Sequence, residues 1–334
     1  MKIIILTKNH SDGSKLSKSL KNLDHNFNSI FNFTREQVVS EPHKFVNTLF
    51  IFSTWYMPLF SEKEIKEYFP SLKAIFYAAG SVKYFANNYF KNNVRIFSAA
   101  KANAVPVAEF TASQIILANK GYFQAQVQYK KPFWKFSFNK ARKYAFDKKG
   151  NYKAKIGIIG CGAVGSKVID LLKPYNLEIF VFDPFISSKR AKELGVEKVS
   201  LVDIFKNSDV ISNHLPDIPS TKGIINIKLL SQIKENVTFI NTGRGAQVIE
   251  KDLIKVLSSK PNMCALLDVT NKEPIRPWSK LLFLNNVFIT PHIAGSLSNE
   301  KDRMIEYMVN SFLNFIENSV DLNEVFKKDI YKQT

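Results

Sequence analysis

A glycine-rich turn stands near the middle of the chain, in the sequence Ile156-Gly157-Ile158-Ile159-Gly160-Cys161-Gly162-Ala163-Val164-Gly165-Ser166. An apolar run leads into the turn, and a helical pattern follows it from Ser166 to Leu172. A second apolar run, Leu177 to Phe182, then ends at Asp183, eighteen residues past the last glycine of the turn. This order of strand, turn, helix, strand and acidic residue predicts a unit that binds a dinucleotide.

Each residue of the turn has a distinct physical role in that prediction. Gly160 allows the tight turn, Gly162 lets the backbone approach a pyrophosphate, and Gly165 lets the helix lie close to the strand. The first N–H groups of the helix would face the phosphates. Asp183 would accept hydrogen bonds from two ribose hydroxyls and repel a 2′-phosphate, which favours NAD over NADP. The alternative is a tight turn in an ordinary α/β domain.

Length and composition indicate a globular protein of about two domains. The chain has 334 residues, of which 45% are hydrophobic and 28 are Phe, which excludes a disordered or fibrous protein. No apolar run reaches the eighteen or more residues of a membrane span, and the first residues read as a strand, not as a signal peptide. The two cysteines, Cys161 and Cys264, do not suggest a disulfide framework. We therefore expect a protein of the reducing cytoplasm, without a membrane partner.

The net charge of +18 raises the question of an anionic partner. Ten Lys or Arg residues lie between Lys130 and Lys155 among Phe and Trp, a mixture that can bind nucleic acid. Lys greatly outnumbers Arg, however, and Arg is the usual residue for specific phosphate recognition. The sequence therefore favours a solvated basic loop that attracts small anionic substrates, and nucleic acid is the less favoured partner.

Apolar runs alternate with helical patterns along the chain, which predicts two parallel sheets. The strands predicted in the first hundred residues are Ile3–Leu6, Thr48–Phe52, Ala74–Ala78 and Val94–Phe97, with helices over Leu16–Leu23, Ser61–Tyr68 and Val82–Asn88. A long helix is predicted over Ala104–Tyr122, followed by the basic loop. The six strands of the second sheet are predicted at Ile156–Gly160, Glu178–Phe182, Val210–Asn213, Thr238–Asn241, Cys264–Val269 and Val287–Thr290, before a helix that extends to Ile316.

Three polar segments follow the last three predicted strands. They carry Arg244 between two glycines, Glu273 before a proline, and His292 after Thr-Pro. Ligands of open α/β sheets bind at the carboxyl ends of strands, so we expect these side chains to meet. The planar guanidinium of Arg244 suits a carboxylate, while the histidine and glutamate suit proton transfer. A reaction that adds hydride to a carbonyl requires this combination.

At these residues the chain resembles a known family, the D-isomer-specific 2-hydroxyacid dehydrogenases, which include D-lactate, glycerate, glyoxylate and 3-phosphoglycerate dehydrogenases. The resemblance is strongest from Ala104 to Ser296 and loose before that. Glu273 argues against the formate dehydrogenases of this family, which have glutamine there. The matching motifs are the glycine turn, Asp183-Pro184, His214-Leu215-Pro216, Thr221, Asn241-Thr242-Gly243-Arg244-Gly245, Asp268-Val269, Glu273-Pro274 and Thr290-Pro291-His292.

The resemblance implies a role for each matching residue. Arg244 would hold the substrate carboxylate and polarise the 2-oxo group, His292 would donate or accept the proton, and Glu273 would orient His292. His214 has two equal alternatives, a structural role and a place in the wall of the nicotinamide pocket. The residues implied to contact NAD are Gly160, Gly162, Ala163, Val164, Gly165, Asp183, His214, Pro216, Thr221, Thr242, Gly243, Asp268, Ala294 and Gly295. Those implied to contact the substrate carboxylate, besides Arg244, are Ala79, Gly80, Ser81 and Val82, and no metal ligands are implied.

The resemblance also implies the architecture and the partners. A doubly wound Rossmann domain that binds NAD, residues 104–298, would be inserted in a flavodoxin-like substrate domain formed by residues 1–103 and 299–334. The expected activity is the NAD-dependent interconversion of a 2-oxo acid and a D-2-hydroxy acid, by a homodimer that associates through the nucleotide domain. The alternative is an NAD(H)-sensing binding protein similar to the corepressors related to this family, which the +18 charge keeps open.

Overall fold

The computed structural model describes residues 2–9, 13–21, 31–130 and 134–332. Their strands are β1 (Ile3–Leu6), β2 (Phe31–Phe33), β3 (Phe50–Ser53), β4 (Ala74–Tyr77), β5 (Arg95–Ser98), β6 (Tyr152–Ile159), β7 (Asn176–Phe182), β8 (Glu197–Lys198), β9 (Val210–Asn213), β10 (Thr238–Asn241), β11 (Cys264–Leu267), β12 (Val287–Ile289) and β13 (Glu324–Val325). Their helices are α1 (Ser14–Lys21), α2 (Arg35–Ser40), α3 (Glu62–Tyr68), α4 (Ala86–Phe90), α5 (Ala100–Asn119), α6 (Tyr122–Tyr129), α7 (Trp134–Phe146), α8 (Ala163–Leu172), α9 (Ser188–Leu194), α10 (Leu201–Asn207), α11 (Ile227–Leu230), α12 (Glu250–Ser259) and α13 (Glu300–Ile316).

These elements form two compact units. The first contains the residues up to Asn103 together with those from Ser296 onward, and the second contains Ala104–Gly295. The second unit is therefore inserted in the first along the chain, and the first boundary lies inside helix α5. The sequence predicts the later boundary three residues further on, after residue 298. In the described residues, no helix has both the length and the apolar character needed to cross a membrane.

The first unit is built on a sheet with the strand order β2-β1-β3-β4-β5-β13. Its first five strands are parallel, in the order of a flavodoxin-like fold, and β13 pairs with β5 in the antiparallel direction. Both faces are buried, which explains strands as uniformly apolar as Ile3–Leu6. On one face Phe52, Phe76 and Phe97 pack against Phe312 of α13 in one aromatic cluster. Part of the high phenylalanine content therefore forms this core.

The second unit is built on a seven-stranded parallel sheet with the order β8-β7-β6-β9-β10-β11-β12. This is the doubly wound Rossmann order with one further strand, and the strand order reverses between β6 and β9. One core packs beneath α5 and α8, and the other beneath α10 and α12. The sequence predicts six strands here because β8 consists of only two residues, both charged and exposed, which give no apolar signal.

Further elements also depart from the predictions. Strand β2 and helix α2 were not predicted, since Phe31–Phe33 is a short edge strand whose side chains are exposed or half-buried. The basic loop prediction was wrong over Trp134–Phe146, which is helix α7. Phe138, Arg142 and Phe146 stand four residues apart, and the Arg142 guanidinium lies 5.6 Å and 5.1 Å from the two ring centroids. Aromatic and cationic residues at this spacing stabilise a helix. Residues 22, 23 and 131–133, where a predicted helix end and part of the loop fall, lie outside the described residues.

Candidate active site

The glycine turn connects β6 to the first turn of α8. Gly160 has φ of +89°, and a Cβ there would lie 2.8 Å from the His214 carbonyl oxygen. A Cβ on Gly165 would lie 2.0 Å from the Gly160 carbonyl oxygen, so only glycine lets α8 begin this close to the strand. Around Gly162, by contrast, a Cβ would meet no atom within 4 Å. The turn therefore leaves open space at the one glycine that is predicted to face a pyrophosphate, and this geometry fits a dinucleotide.

Asp183 follows β7 and faces the glycine turn. Its carboxylate accepts hydrogen bonds from the backbone N–H groups of Cys161 and Phe185, each at 2.7 Å. The Cys161 bond ties the aspartate to the turn, which sequence reasoning did not foresee. Each carboxylate oxygen has a further lone pair, so the same group retains the capacity to accept ribose hydroxyls.

His214 directly follows β9 and is buried, with 3% of its surface exposed, between Ser212 and Thr242. The Thr111 hydroxyl donates to the Val107 carbonyl oxygen at 2.8 Å, and it lies 3.0 Å from the Thr242 hydroxyl. Since a carbonyl only accepts, Thr242 donates to Thr111 and in turn accepts from His214 Nδ1, at 3.4 Å. The Ser212 hydroxyl then donates to Nε2, at 2.9 Å. Burial lowers the pKa of His214 to about 3, so this ring is neutral near pH 7.

Arg244 follows β10 at the start of a short 3-10 turn, Gly245–Gln247. Its side chain is half-buried, and Nη1 donates to the Gly243 carbonyl oxygen at 2.8 Å. The flanking glycines are needed for packing. A Cβ on Gly243 would lie 2.8 Å from Gln247 Oε1, and one on Gly245 would lie 2.0 Å from the Thr270 backbone. The glycines thus let neighbouring loops close around the Arg244 backbone.

Three buried amides join the strand ends beneath Arg244. Asn213 Nδ2, at the end of β9, donates to Asn241 Oδ1 at 3.0 Å and to Gln247 Oε1 at 2.5 Å. Gln247 Oε1 also accepts from the Arg244 N–H at 3.1 Å, and Nε2 donates to the Pro216 carbonyl oxygen at 3.0 Å and to that of Leu215. Sequence reasoning missed these residues, because nothing in the sequence shows that an amide three residues after Arg244 turns inward.

Asp268, at the end of β11, organises the segment that carries His292. Its carboxylate is 3% exposed and accepts from the Thr290 hydroxyl at 2.6 Å and from the N–H groups of Ile293 and Ala294 at 2.8 and 3.0 Å. Its carbonyl oxygen accepts from the His292 N–H at 3.0 Å. These contacts hold His292 at φ of +55°, a conformation that non-glycine residues seldom adopt. The predicted nicotinamide contact is therefore also an anchor of this loop.

His292 and Glu273 form a close pair after the last two strands. Nδ1 of His292 lies 2.7 Å from Glu273 Oε2, and the two side chains remain 49% and 41% exposed. Glu273 Oε1 accepts from the Thr270 N–H at 3.2 Å. Because a carboxylate accepts, the Nδ1 proton faces Glu273, which leaves Nε2 for exchange with a ligand. An oriented imidazole with one accessible nitrogen can act as a general acid or base.

The remaining predicted residues lie in two loops. The Thr221 hydroxyl donates to the Pro216 carbonyl oxygen at 2.6 Å and so closes the loop after β9. In the first unit, Ala79–Val82 follow β4, and the Ser98 hydroxyl donates to the Gly80 carbonyl oxygen at 2.5 Å. Within the part of the chain that the structure describes, the N–H groups of Gly80, Ser81 and Val82 have no acceptor. Consecutive free N–H groups can bind an anion.

The chain is similar in sequence to known proteins. Residues 112–294 match the family profile described as D-isomer specific 2-hydroxyacid dehydrogenase, NAD binding domain. A glyoxylate reductase of Korarchaeum cryptofilum is 28% identical over 265 residues, which are 79% of each chain. A D-3-phosphoglycerate dehydrogenase of Archaeoglobus fulgidus is 31% identical over 206 residues. That alignment covers 62% of this chain and only 38% of the relative's length.

Solved structures share the fold at lower sequence identity. The apo D-mandelate dehydrogenase of Rhodotorula graminis superposes with a TM-score of 0.80 at 17% identity, over 98% of each chain. The NAD-complexed D-isomer specific 2-hydroxyacid dehydrogenase of Lactobacillus delbrueckii ssp. bulgaricus superposes with a TM-score of 0.77, also at 17% identity, over 97% of this chain and 100% of that one. Because the family profile matches more than half of the sequence, the chain belongs to the D-isomer specific 2-hydroxyacid dehydrogenases, and its second unit is their NAD-binding domain.

Proposed function

We propose that this protein interconverts a 2-oxo acid and a D-2-hydroxy acid with NAD as the hydride carrier. The observation that carries the proposal is the 2.7 Å pair of His292 and Glu273 on the same sheet edge as Arg244. These residues follow β12, β11 and β10, three adjacent strands, at the edge where open α/β sheets bind ligands. A carboxylate clamp and an oriented proton donor are the groups that the reaction requires from the protein.

The turn after β6 supplies the features that a dinucleotide needs. Open space at Gly162, the N-terminus of α8 and the spare lone pairs of Asp183 fit a pyrophosphate and a ribose. We infer that Ala163, Val164, Thr242, Gly243, Ala294 and Gly295 line the same cofactor site. NAD, when bound, supplies the hydride acceptor or donor at its nicotinamide ring. A negative Asp183 beside the ribose favours NAD over NADP.

The protein's own residues would then act in defined places. Arg244 binds the substrate carboxylate. The free N–H groups of Gly80, Ser81 and Val82, in the first unit, are themselves able to bind an anionic group. His292 gives a proton from Nε2 to the carbonyl oxygen as reduction proceeds, and takes it back in the reverse direction. Glu273 holds Nδ1 and stabilises the positive charge that the ring carries before it donates.

Steady-state oxidation of NADH tests this proposal. The substrates would extend from glyoxylate and pyruvate to hydroxypyruvate and to phosphorylated and sugar-derived 2-oxo acids. His292→Ala and Arg244→Ala are each expected to lower kcat/KM on the preferred substrate by about a hundredfold or more. His43→Ala, at an exposed histidine of the first unit, is the control. Tight NADH binding without turnover of any 2-oxo acid would overturn the proposed activity and favour an NAD(H) sensor.

We also infer that the protein is a homodimer that associates through its nucleotide unit. Helices α6 and α7 of that unit expose aromatic side chains, with Tyr129 59%, Phe136 68% and Phe146 72% accessible. Aromatic residues are enriched at the centres of protein interfaces. A second copy would bury rings that otherwise contact water, at an edge of the sheet separate from Arg244 and His292.

A further inference from the structure

Gln247 is a buried side chain with no role in the reaction described above. It is fully buried in the second unit, and its amide makes four hydrogen bonds. The oxygen accepts from the Arg244 N–H and from Asn213 Nδ2, and the nitrogen donates to the carbonyl oxygens of Leu215 and Pro216. An amide oxygen can accept two bonds and an amide NH2 can donate two. This amide therefore uses its full hydrogen-bonding capacity.

The partners fix both the residue type and the orientation of the amide. The Arg244 N–H can only donate, and the two carbonyl oxygens can only accept. An inverted amide would oppose donor to donor and acceptor to acceptor. Glutamate would lack the two donors, and an apolar residue would leave the Arg244 N–H and the Leu215 carbonyl oxygen without partners, which is costly. Glutamine alone among the common side chains of this length satisfies the site.

The four partners belong to two different parts of the proposed active site. Arg244 follows β10 and is the proposed carboxylate clamp, whereas Leu215 and Pro216 follow β9 in the loop proposed to contact NAD. Gln247 thus contacts both the backbone of the clamp and the cofactor loop directly. Gly243 is adapted to it, because a Cβ at that position would lie 2.8 Å from Gln247 Oε1.

We propose that Gln247 is a positioning residue that fixes the Arg244 backbone relative to the cofactor loop, so that the guanidinium meets the substrate carboxylate in a productive position. This inference rests on the proposed function. Gln247 touches neither substrate nor cofactor, and it acts through Arg244. Its loss should therefore weaken capture of the 2-oxo acid only in a protein that has the arginine clamp intact.

A double-mutant cycle with Arg244 tests the inference, because two residues that act through one contact are not additive. Gln247→Met keeps the length of the side chain and removes its polar groups. In the wild-type background it should raise KM for the preferred 2-oxo acid at least tenfold, and in the Arg244→Lys background less than threefold. The exposed Gln232→Met is the matched control. KM, kcat, the NADH dissociation constant and the melting temperature would be measured for every variant.

The outcomes separate the possible roles of Gln247. A purely structural role would lower the melting temperature. It would also either raise KM by the same factor in both backgrounds or leave KM unchanged. Either result for KM overturns the inference. If Gln247→Met does not fold, Gln247→Glu, which keeps the acceptor for the Arg244 N–H, enters the same cycle with the same criteria. If the wild-type protein reduces no 2-oxo acid, the proposed function fails and the inference fails with it. An active wild type with an additive cycle overturns the inference alone.

Discussion

At the scale of single residues, burial decides which of the polar side chains in this site can exchange protons. His214 and His292 both follow strands of the second sheet, yet one is 3% exposed and neutral while the side chain of the other is 49% exposed beside a carboxylate. The chain of hydroxyls from Ser212 to Thr111 occupies both nitrogens of His214. His292 keeps one nitrogen for a ligand. The same residue type is therefore buried and neutral in one loop and has a proposed chemical role in the other.

The buried ring predicts how stability depends on pH. The folded-state pKa of His214 is about 3, below the unfolded value of 6.5, so the unfolded chain takes up a proton first as the pH falls. The contribution is fully present above pH 6.5 and is lost as the pH falls toward 3, by about 1.4 kcal/mol per pH unit. Urea denaturation between pH 7.5 and pH 4.5 would give the free energy of unfolding as a function of pH. The slope of that dependence should be smaller in His214→Asn than in wild type, by the amount that corresponds to the uptake of one proton. The same substitution at the exposed His43 controls for the loss of an imidazole, and equal slopes in wild type and His214→Asn would contradict the prediction.

Sequence patterns predict which residues follow the strands, and they do not predict how the loops fold back. Arg244, Glu273 and His292 are visible because each follows an apolar run, and three adjacent parallel strands bring them to one edge. For Gln247 and Asp268, the sequence does not show that the side chains point inward. Their inward direction depends on a 3-10 turn and on a left-handed residue, features set by contacts between loops that are distant in sequence. The two glycines around Arg244 are closely packed in the structure, which their position after an apolar run does not reveal.

At the scale of secondary structure, the glycine turn separates two effects that a sequence motif combines. Gly165 is required by the packing of α8 against the end of β6, and Gly162 faces open space. The first requirement concerns folding, and the second concerns the ligand. Strands such as Val210–Asn213 and Thr238–Asn241 were predicted residue by residue because each contains a pair of adjacent apolar residues and is buried. Strand β8 was missed because both of its residues are charged. Helix α7 was missed because its pattern is a spacing of cationic and aromatic residues and not an apolar stripe.

A matched pair of alanine variants should show that separation. Gly165→Ala places a methyl group 2.0 Å from a backbone oxygen, and it should cost about 2 kcal/mol or more of unfolding free energy. Gly162→Ala, at a φ of −76°, should change stability by less than about 0.5 kcal/mol. It should nevertheless weaken NADH binding about tenfold or more, because the methyl group occupies the approach of the pyrophosphate. Urea denaturation without cofactor and fluorescence titration with NADH measure the two effects. Unchanged NADH affinity in Gly162→Ala would refute this interpretation of the turn.

At the scale of the whole molecule, the exposed aromatic side chains of α6 and α7 predict how the protein associates. Phe136→Asp introduces a charge where the proposed dimer buries a ring that is 68% exposed in one chain, and we expect it to convert a dimer to a monomer. Phe326→Asp, at a 53% exposed phenylalanine of the first unit, is the control. Sedimentation velocity across a range of concentrations would distinguish the species. A Phe136→Asp protein that sediments like wild type would place the interface elsewhere.

The hydrogen bond from the Ser296 N–H to Asn103 Oδ1, at 2.9 Å, has a consequence for the order in which the chain is made. It places the two ends of the inserted segment side by side. The nucleotide unit therefore forms a loop on the first unit, and the entropy cost of closing such a loop grows only slowly with its length. During synthesis, however, strands β1 to β5 emerge long before Phe312 of α13, which covers their phenylalanine face. The ribosome must add the whole nucleotide unit in between. The sheet of the first unit is therefore synthesised first and completed last. Its aromatic face stays without the cover of α13 until the nucleotide unit has been synthesised.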